Sequence, residues 1–329
     1  MNRHTPHKDK IYSSNLCLET ALPTKEYSSM MDLYSTEDHG RGEVAMCSLG
    51  GTLPANINSD DEYEKVCYYT LLMIDKCIHR GYYKLPHVGV TAKARMNAGV
   101  GLIGVAHYMA KHHASYSSEK GKRLLHELSE KHAYFCIKAS LKLGKELGNA
   151  PWMHRTKWPD GWLPIDTYKK TVDSIVDGTL VYDWEELRKE IIDNKGIRNS
   201  SLINHMPSES SSKASATCNG VYPIRELTLI KTDADNTVYW AAPEGEKLAK
   251  WYDIVWDTPT KDITETYAII QKFTDQTISA DFYKRLPAGE TVPTTEMIQA
   301  FLYRTKMGLK TTYYLNSNTA KEECETCAL

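Results

Sequence analysis

The sequence predicts an α/β fold. Long amphipathic helical periods alternate with short extended stretches, and Gly, Pro and Asn/Asp signals separate them. At 329 residues the chain is long enough for one large core or two ordinary ones, and no internal repeat or clear domain boundary stands out. Its 41% hydrophobic and 25% charged residues are those of a globular protein. A formal charge of -2 supplies no strong field for nucleic acid or an anionic membrane surface. No apolar run approaches membrane-spanning length, and residues 1–10 lack a signal-peptide core. The expected compartment is therefore the cytoplasm. In a chain this long the eight cysteines are not needed as disulfide staples.

Taken in order, residues 1–14 read as a loose leader. Pro23 to Gly42 is polar, and Glu43–Leu49 is a strand candidate with Val44 and Met46 on one face, ended by Gly50 and Gly51. The spacing of Val66, Tyr69, Thr70, Met73, Ile74 and Cys77 predicts a helix over Asp60–Arg80, with acidic residues at its start. The run Gly99–Val105 lacks the order of a phosphate loop; it permits close backbone packing, with a helix starting near Gly104. Glu119–Leu147 is a long helix stopped by Gly148, and Asp183–Asn194 another, closed by Gly196. A short strand with Leu202, Ile203 and Met206 precedes Pro207. Residues 208–217 read equally as a flexible linker or as a hydroxyl-rich loop entering a helix. A hairpin spans Val221–Trp240 around Asp233–Asn236. Helices are expected over Glu246–Trp256, Glu265–Ala280 and Thr294–Met307, the last with Met297, Ile298, Phe301 and Leu302 as its apolar side. Leu309–Leu315 is extended, and residues 316–329 form a mobile tail.

Chemistry concentrates in Asn15-Leu16-Cys17-Leu18-Glu19. In an extended chain Asn15, Cys17 and Glu19 share one face and the two leucines the other. A carboxylate beside a thiol disfavours a thiolate, so an ordinary nucleophilic cysteine is a poor fit. A neutral thiol or a sulfur radical beside a base remains, as does an amphipathic strand with one small buried hydrophobe. Cys67, Cys77 and Cys136 read as core thiols. Cys324 and Cys327 form a close pair in a polar tail: a weak zinc signal, a mobile dithiol for exchange, or two surplus cysteines. Tyr313 and Tyr314 on a strand would point to opposite faces, one inward and one outward; a phenol relay is the alternative.

The stretch Ser14–Glu19 with Leu22-Pro23-Thr24 resembles the finger loop of class I ribonucleotide reductase large subunits. So, in family order, do the segments Glu43–Cys47, Leu163–Tyr168, Arg198–Ser200, Met206–Ser211, Ala216–Gly220 and Lys310–Tyr314, and the paired-cysteine tail. The resemblance implies the C-terminal half of a ten-stranded α/β barrel over residues 15–315, with a central finger loop, completed by another chain. It implies radical-based reduction of ribonucleoside diphosphates. Cys17 would carry the thiyl radical, Glu19 would take the 3′-hydroxyl proton, and Asn15 would orient the substrate hydroxyls. Cys47 would be one member of the substrate-reducing dithiol. Tyr313 and Tyr314 would relay the radical, and Pro207, Ser208, Glu209, Ser210 and Ser211 would cradle the diphosphate. Cys324 and Cys327 would re-reduce the site and then be reduced by thioredoxin or glutaredoxin. The chain itself would bind no metal, the radical coming from a metal-containing small subunit. The second cysteine of the reducing pair precedes the finger loop in the family, and no cysteine precedes Cys17 here; Cys218 lies in another motif and reads as structural. We therefore expect one piece of a naturally split large subunit, with an N-terminal partner chain; a truncated, inactive remnant that binds reductase subunits and an excised fragment of a longer chain are the alternatives.

Overall fold

The computed structural model describes residues 2–232, 237–286 and 289–319. In chain order the elements are β1 (Ser48–Thr52), α1 (Asp60–Arg80), α2 (Pro86–Arg95), β2 (Ala98–Leu102), α3 (Val105–Lys111) and α4 (Glu119–Leu147). They continue with α5 (Trp184–Asp193), α6 (Glu209–Ala214), β3 (Thr228–Thr232), β4 (Thr237–Ala241), α7 (Gly245–Leu248), α8 (Thr260–Lys272), β5 (Phe282–Leu286), α9 (Thr294–Met307) and β6 (Leu315–Thr319).

The organising feature is a run of parallel extended segments. β1 pairs in parallel with β2, Ser48 opposite Ala98 through Thr52 opposite Leu102. β2 then meets residues 201–205: the Ala98 and Val100 N–H groups donate to the Ser201 and Leu202 carbonyls at 3.0 and 2.7 Å. The next neighbour is 276–280, through the parallel bridge His205–Ile278. Tyr313 N–H then donates to the Ala280 carbonyl at 2.9 Å, and β5 pairs in parallel with β6. Helices connect these segments, as parallel pairing requires. The arrangement does not close on itself, and among the described residues no strand pairs with the outer edge of β1. A half barrel is what these facts describe.

The helices at 60–80, 119–147 and 294–307 fall where the periodicity puts them. Ser59 caps α1 by accepting from the Glu62 N–H, and Ser118 caps α4 by accepting from the Gly121 N–H. The buried face of α1 is not the predicted one. Tyr63, Cys67, Leu71, Ile74 and Ile78 are buried, and of these Ile74 alone belongs to the predicted stripe, while Tyr69, Met73 and Cys77 are exposed. Both stripes satisfy a 3.6-residue period, and α4 selects the one that meets Leu125, Leu128, Phe135 and Cys136. Burial of each such large side chain contributes about 1.5–3 kcal/mol. In α9 the expected apolar side, Met297, Ile298, Phe301 and Leu302, is solvent-exposed.

Other expectations shift. Residues 1–14 do not read as a loose leader: His4, Thr5, His7 and Ile11 are buried. The strand expected over Glu43–Leu49 forms five residues later, as β1. A Cβ on Gly50 would lie 2.8 Å from Thr70 Cγ2, and one on Gly51 2.5 Å from Ile103 Cδ1. The glycine pair is therefore part of a strand pressed against its neighbours, not a turn. The helix expected over Glu246–Trp256 shrinks to α7 and one 3-10 turn, because the Asp253 carbonyl and Val255 N–H pair with Ile224 instead. The helix expected over Glu265–Ala280 starts at Thr260 and stops at Lys272, since 276–280 pair with 201–205. Residues 316–319, expected in the tail, belong to β6. The linker-like stretch 208–217 contains α6, so the helix alternative holds. The turn around Asp233–Asn236 lies outside the described residues, as do Cys324 and Cys327.

A buried ionic cluster ties the start of the chain to this body. Arg95 Nε donates to Glu43 Oε1 at 2.7 Å and its Nη2 to Asp9 Oδ2 at 2.8 Å; Arg155 Nε also reaches Asp9 at 2.9 Å. Arg95 and Glu43 side chains are 2% and 4% exposed. Removing one partner of such a pair leaves an uncompensated buried charge. Arg95→Ala is expected to destabilise the fold by about 3–5 kcal/mol, read as a lowered denaturant midpoint for the full chain with its assembly partners. A loss below about 1 kcal/mol, the worth of an exposed pair, would contradict this role.

Candidate functional site

The Asn15–Glu19 stretch is a turn, not the extended strand the alternation assumed. Leu18 N–H donates to the Asn15 carbonyl at 3.2 Å, and Leu18 has φ 63°, the left-handed region. For a non-glycine residue that costs about 1–2 kcal/mol. The turn breaks the period of two, so Leu16 is exposed and anchors nothing. Cys17 is half-buried, Asn15 is exposed and Glu19 is 2% exposed.

The turn is held by the polar fourth segment. Ser279 Oγ donates to the Cys17 carbonyl, Thr277 Oγ1 to the Leu18 carbonyl, and Thr277 N–H to the Glu19 carbonyl at 3.0 Å. Gln276 Oε1 accepts from the Ala21 N–H at 3.0 Å, and Asn204 Nδ2 donates to Thr20 Oγ1 at 3.0 Å. These contacts explain why the loop keeps its strained residue. Asn204 itself sits against β2 only because position 99 is glycine; a Cβ there would collide with its amide.

Within the turn, Asn15 Nδ2 donates to Glu19 Oε1 at 2.6 Å, and Ser279 Oγ, whose proton goes to the Cys17 carbonyl, lies 3.3 Å from Glu19 Oε2. The Tyr313 hydroxyl donates to Cys17 Sγ at 3.5 Å. The Tyr313 and Tyr314 rings lie 3.9 Å apart at 38°, so the two do not split to opposite faces. Residues 311–314 precede β6 and lack its regular pleat, which lets the two rings meet at a tilt. Hydrogen bonding to Tyr314 and to Cys17 holds the Tyr313 phenol well above its ordinary range, so it stays protonated. Tyr314 is 57% exposed. The stacked pair thus runs from the surface to the sulfur.

Cys47 lies just before β1, with Asn204 Nδ2 4.0 Å from its Sγ. Asn15, Glu19, Thr20 and Cys47 line one cleft of about 620 Å³, together with Lys25 and Glu43. Burial pushes the Cys47 thiol up to about 12. The 207–211 loop does not line this cleft. Ser208 is buried, its N–H donating to Asn219 Oδ1 at 2.7 Å and its Oγ accepting from the Gly220 N–H at 2.7 Å. Glu209, Ser210 and Ser211 are exposed, and Glu209 borders a separate cavity of about 360 Å³ with Lys213, Asn219 and Arg225.

Sequence reasoning missed Asn204, Gln276, Thr277 and Ser279. Their signal was a polar residue inside the apolar strand candidate 202–206, and the Thr-Asp-Gln-Thr-Ile-Ser run 274–279, too polar for a buried helix end. Asp275 in that run accepts from the Leu202 and Ile203 N–H groups at 3.2 and 2.6 Å, and burial pushes its carboxyl up to about 6. Lys310 Nζ donates to the Asp275 and Gln276 carbonyls, and burial pulls its ammonium down to about 7.

A thiol hydrogen-bonded to one of two adjoining tyrosine rings, beside a buried carboxyl, thus sits on a parallel α/β half barrel. Residues 1–315 match the family described as "Ribonucleotide reductase, barrel domain", and the chain belongs to that family. It is 37% identical over 331 aligned residues to the ribonucleoside-diphosphate reductase subunit alpha of Haemophilus influenzae, covering 98% of this chain and 43% of that protein. It is 38% identical to the subunit alpha of reductase 1 of Escherichia coli, covering 98% and 42%. To the subunit alpha of Enterobacteria phage T4 it is 34% identical, covering 99% and 43%. The chain thus spans under half the length of these relatives. Among the described residues no helix is long and apolar enough to cross a membrane.

The Cys47 reading has a direct check. Its thiol should alkylate with iodoacetamide far more slowly than an ordinary thiol at pH 8, with a rate still climbing past pH 10. Peptide mass spectrometry after timed labelling reads this. A rate that levels off at pH 8.5–9, the range of a free thiol, would contradict a half-buried Cys47 held neutral.

Proposed function

We propose that this chain is the part of a ribonucleoside-diphosphate reductase large subunit that carries the radical cysteine, and that it acts with other chains. The single observation that carries this is the Tyr313–Cys17 contact at 3.5 Å with Tyr314 stacked behind it. An electron and a proton leaving one sulfur need a hydrogen-bonded phenol there, and a surface-reaching partner ring to pass the oxidation on. In this reading Tyr314 takes the oxidation from a metal-containing small subunit, Tyr313 passes it inward, and Cys17 becomes a thiyl radical.

The thiyl removes the 3′ hydrogen of a ribonucleoside diphosphate. Glu19 accepts the 3′-hydroxyl proton, and Asn15, already bonded to Glu19, orients the hydroxyls. The 2′-hydroxyl takes a proton and leaves C2′ as water, Cys47 with a second thiol supplies the two electrons and two protons and ends as a disulfide, and Cys17 returns the hydrogen to C3′, which restores the thiyl. That second thiol is not among the residues lining this cleft. Cys324 and Cys327 reduce this disulfide by exchange and are then reduced by thioredoxin or glutaredoxin. Pro207 to Ser211 hold the diphosphate, with Ser208 fixing the loop while Ser210 and Ser211 offer exposed hydroxyls.

The N-terminal half of the large subunit is the partner that completes the barrel in this reading. The unpaired outer edge of β1, with Leu49 exposed on it and Tyr69 and Met73 exposed on α1, supports such a partner. An open edge and exposed apolar rings are a liability unless covered. The alternative, a subunit-binding module without turnover, leaves the Cys17–Tyr313–Tyr314 line without a use.

In the chain co-assembled with its N-terminal partner and the small subunit, Cys17→Ser and Tyr313→Phe should each abolish deoxynucleotide formation while sparing assembly. Glu19→Gln should lower turnover by about 10²–10⁴-fold, the scale of general base catalysis. Substrate-reduction assays with size-exclusion chromatography read both. Normal turnover by Cys17→Ser would remove the radical assignment. The double substitution Cys324→Ser/Cys327→Ser should block thioredoxin-driven cycling but leave a single turnover intact.

A further inference from the structure

Away from the cleft, the α1–α4 interface holds a second cluster of sulfur and nitrogen. Cys67 on α1 and His132 and Cys136 on α4 are fully buried, and one donor atom from each lies within 4.8 Å of the other two. We propose that Cys67, His132 and Cys136 form a structural zinc site that pins α1 to α4. This inference does not depend on the reductase reading.

The geometry points to a metal. Two sulfurs bound to one tetrahedral zinc at about 2.3 Å sit about 3.8 Å apart, and a sulfur and an imidazole nitrogen about 3.6 Å apart. Here the two Sγ atoms are 3.6 Å apart, and Cys136 Sγ is 3.9 Å from His132 Nε2. His132 and Cys136 are four residues apart, so one helix face presents both. The rest of the imidazole is held as metal-bound histidines are. Its Nδ1 lies 3.1 Å from the Tyr63 hydroxyl and 3.4 Å from Thr52 Oγ1, groups that fix the ring. Without a metal, Nε2–H donates to the Val100 carbonyl at 3.0 Å; on zinc binding the ring proton would move to Nδ1, facing those two hydroxyls, and the freed carbonyl would be a candidate for the fourth position.

Charge selects the ion. Both thiols lose their protons to solvent as Zn2+ binds, and two thiolates with one divalent cation are neutral overall. A buried site with no nearby counter-ion tolerates that far better than a net charge. A monovalent copper ion on the same donors would leave one negative charge. The site would also join two strands to the helices above: Thr52 ends β1, Val100 is central in β2, and the ligands lie on α1 and α4.

The test uses the full chain, purified with the polypeptides it assembles with and carrying Cys324→Ser/Cys327→Ser so that the tail pair binds nothing. Cobalt(II) chloride is the probe and zinc chloride the competitor, under a non-thiol reductant. One equivalent of cobalt should give sulfur-to-metal charge-transfer bands in the near ultraviolet, removed by zinc. The bands should vanish in Cys67→Ser and Cys136→Ser, and metal affinity should fall at least tenfold in His132→Gln. Elemental analysis should find one more zinc per chain in the parent than in Cys67→Ser. Absence of charge-transfer bands from the folded parent, or their persistence in Cys67→Ser, overturns the proposal. So does metal-free loss of both thiols on mild oxidation with recovery by reductant, which would make the pair a disulfide.

Discussion

The capture of three successive loop carbonyls by one buried polar segment is the constraint on which the site rests. Thr277 and Ser279 reach the carbonyls of Cys17, Leu18 and Glu19, and each such bond is worth about 1 kcal/mol net. Together they outweigh the cost of a left-handed Leu18. Without them the turn would relax toward extended chain, and the Cys17 sulfur would swing away from the Tyr313 hydroxyl. That capture is available only because residues 276–280 are strand rather than helix. It therefore depends in turn on the pairing of that segment with 201–205.

The pairing is specified by polar groups, not by apolar matching alone. Asp275 accepts two N–H groups of the neighbouring segment, and Lys310 closes on the carbonyls of Asp275 and Gln276. A one-residue slip would leave all of them unsatisfied in the interior, at a cost of about 1–3 kcal/mol for each group. The same logic holds at the other end of the run. Arg95 fixes Glu43 and Asp9 at once, which draws the first residues of the chain onto the body and sets where the segment leading to Cys47 enters β1. Asn204 then links the two halves of the chemistry, reaching Thr20 in the turn and lying near Cys47.

The structure also separates what the family motifs place side by side. Asn15, Glu19 and Cys47 share a cleft, whereas the 207–211 loop opens onto other space. For the proposed reaction, a substrate diphosphate and its sugar must bridge the two. Among the described residues, the α9 face and the outer edge of β1 present apolar side chains to solvent.

Period and punctuation in the sequence were enough for the long helices, because α1, α4 and α9 carry local signals at both ends: a capping serine or a proline before, a glycine after. The motif residues Asn15, Cys17, Glu19, Tyr313 and Tyr314 were legible as candidates by type and order. Which side of α1 turns inward was not legible, since two stripes fit one period and only α4 decides between them. The Gly50-Gly51 pair reads as a stop in sequence and serves as strand in space, because its lack of side chains matters only to neighbours distant in the chain. Likewise the polarity of residues 274–279 has no local meaning until the turn at Cys17 is laid across it. Sequence alone thus determined the chemical groups and the helical periods, which are properties of short windows. Tertiary structure decided the sulfur–phenol contact, the stacked rings and the buried Cys67–His132–Cys136 cluster, because each depends on distances between residues that only packing brings together.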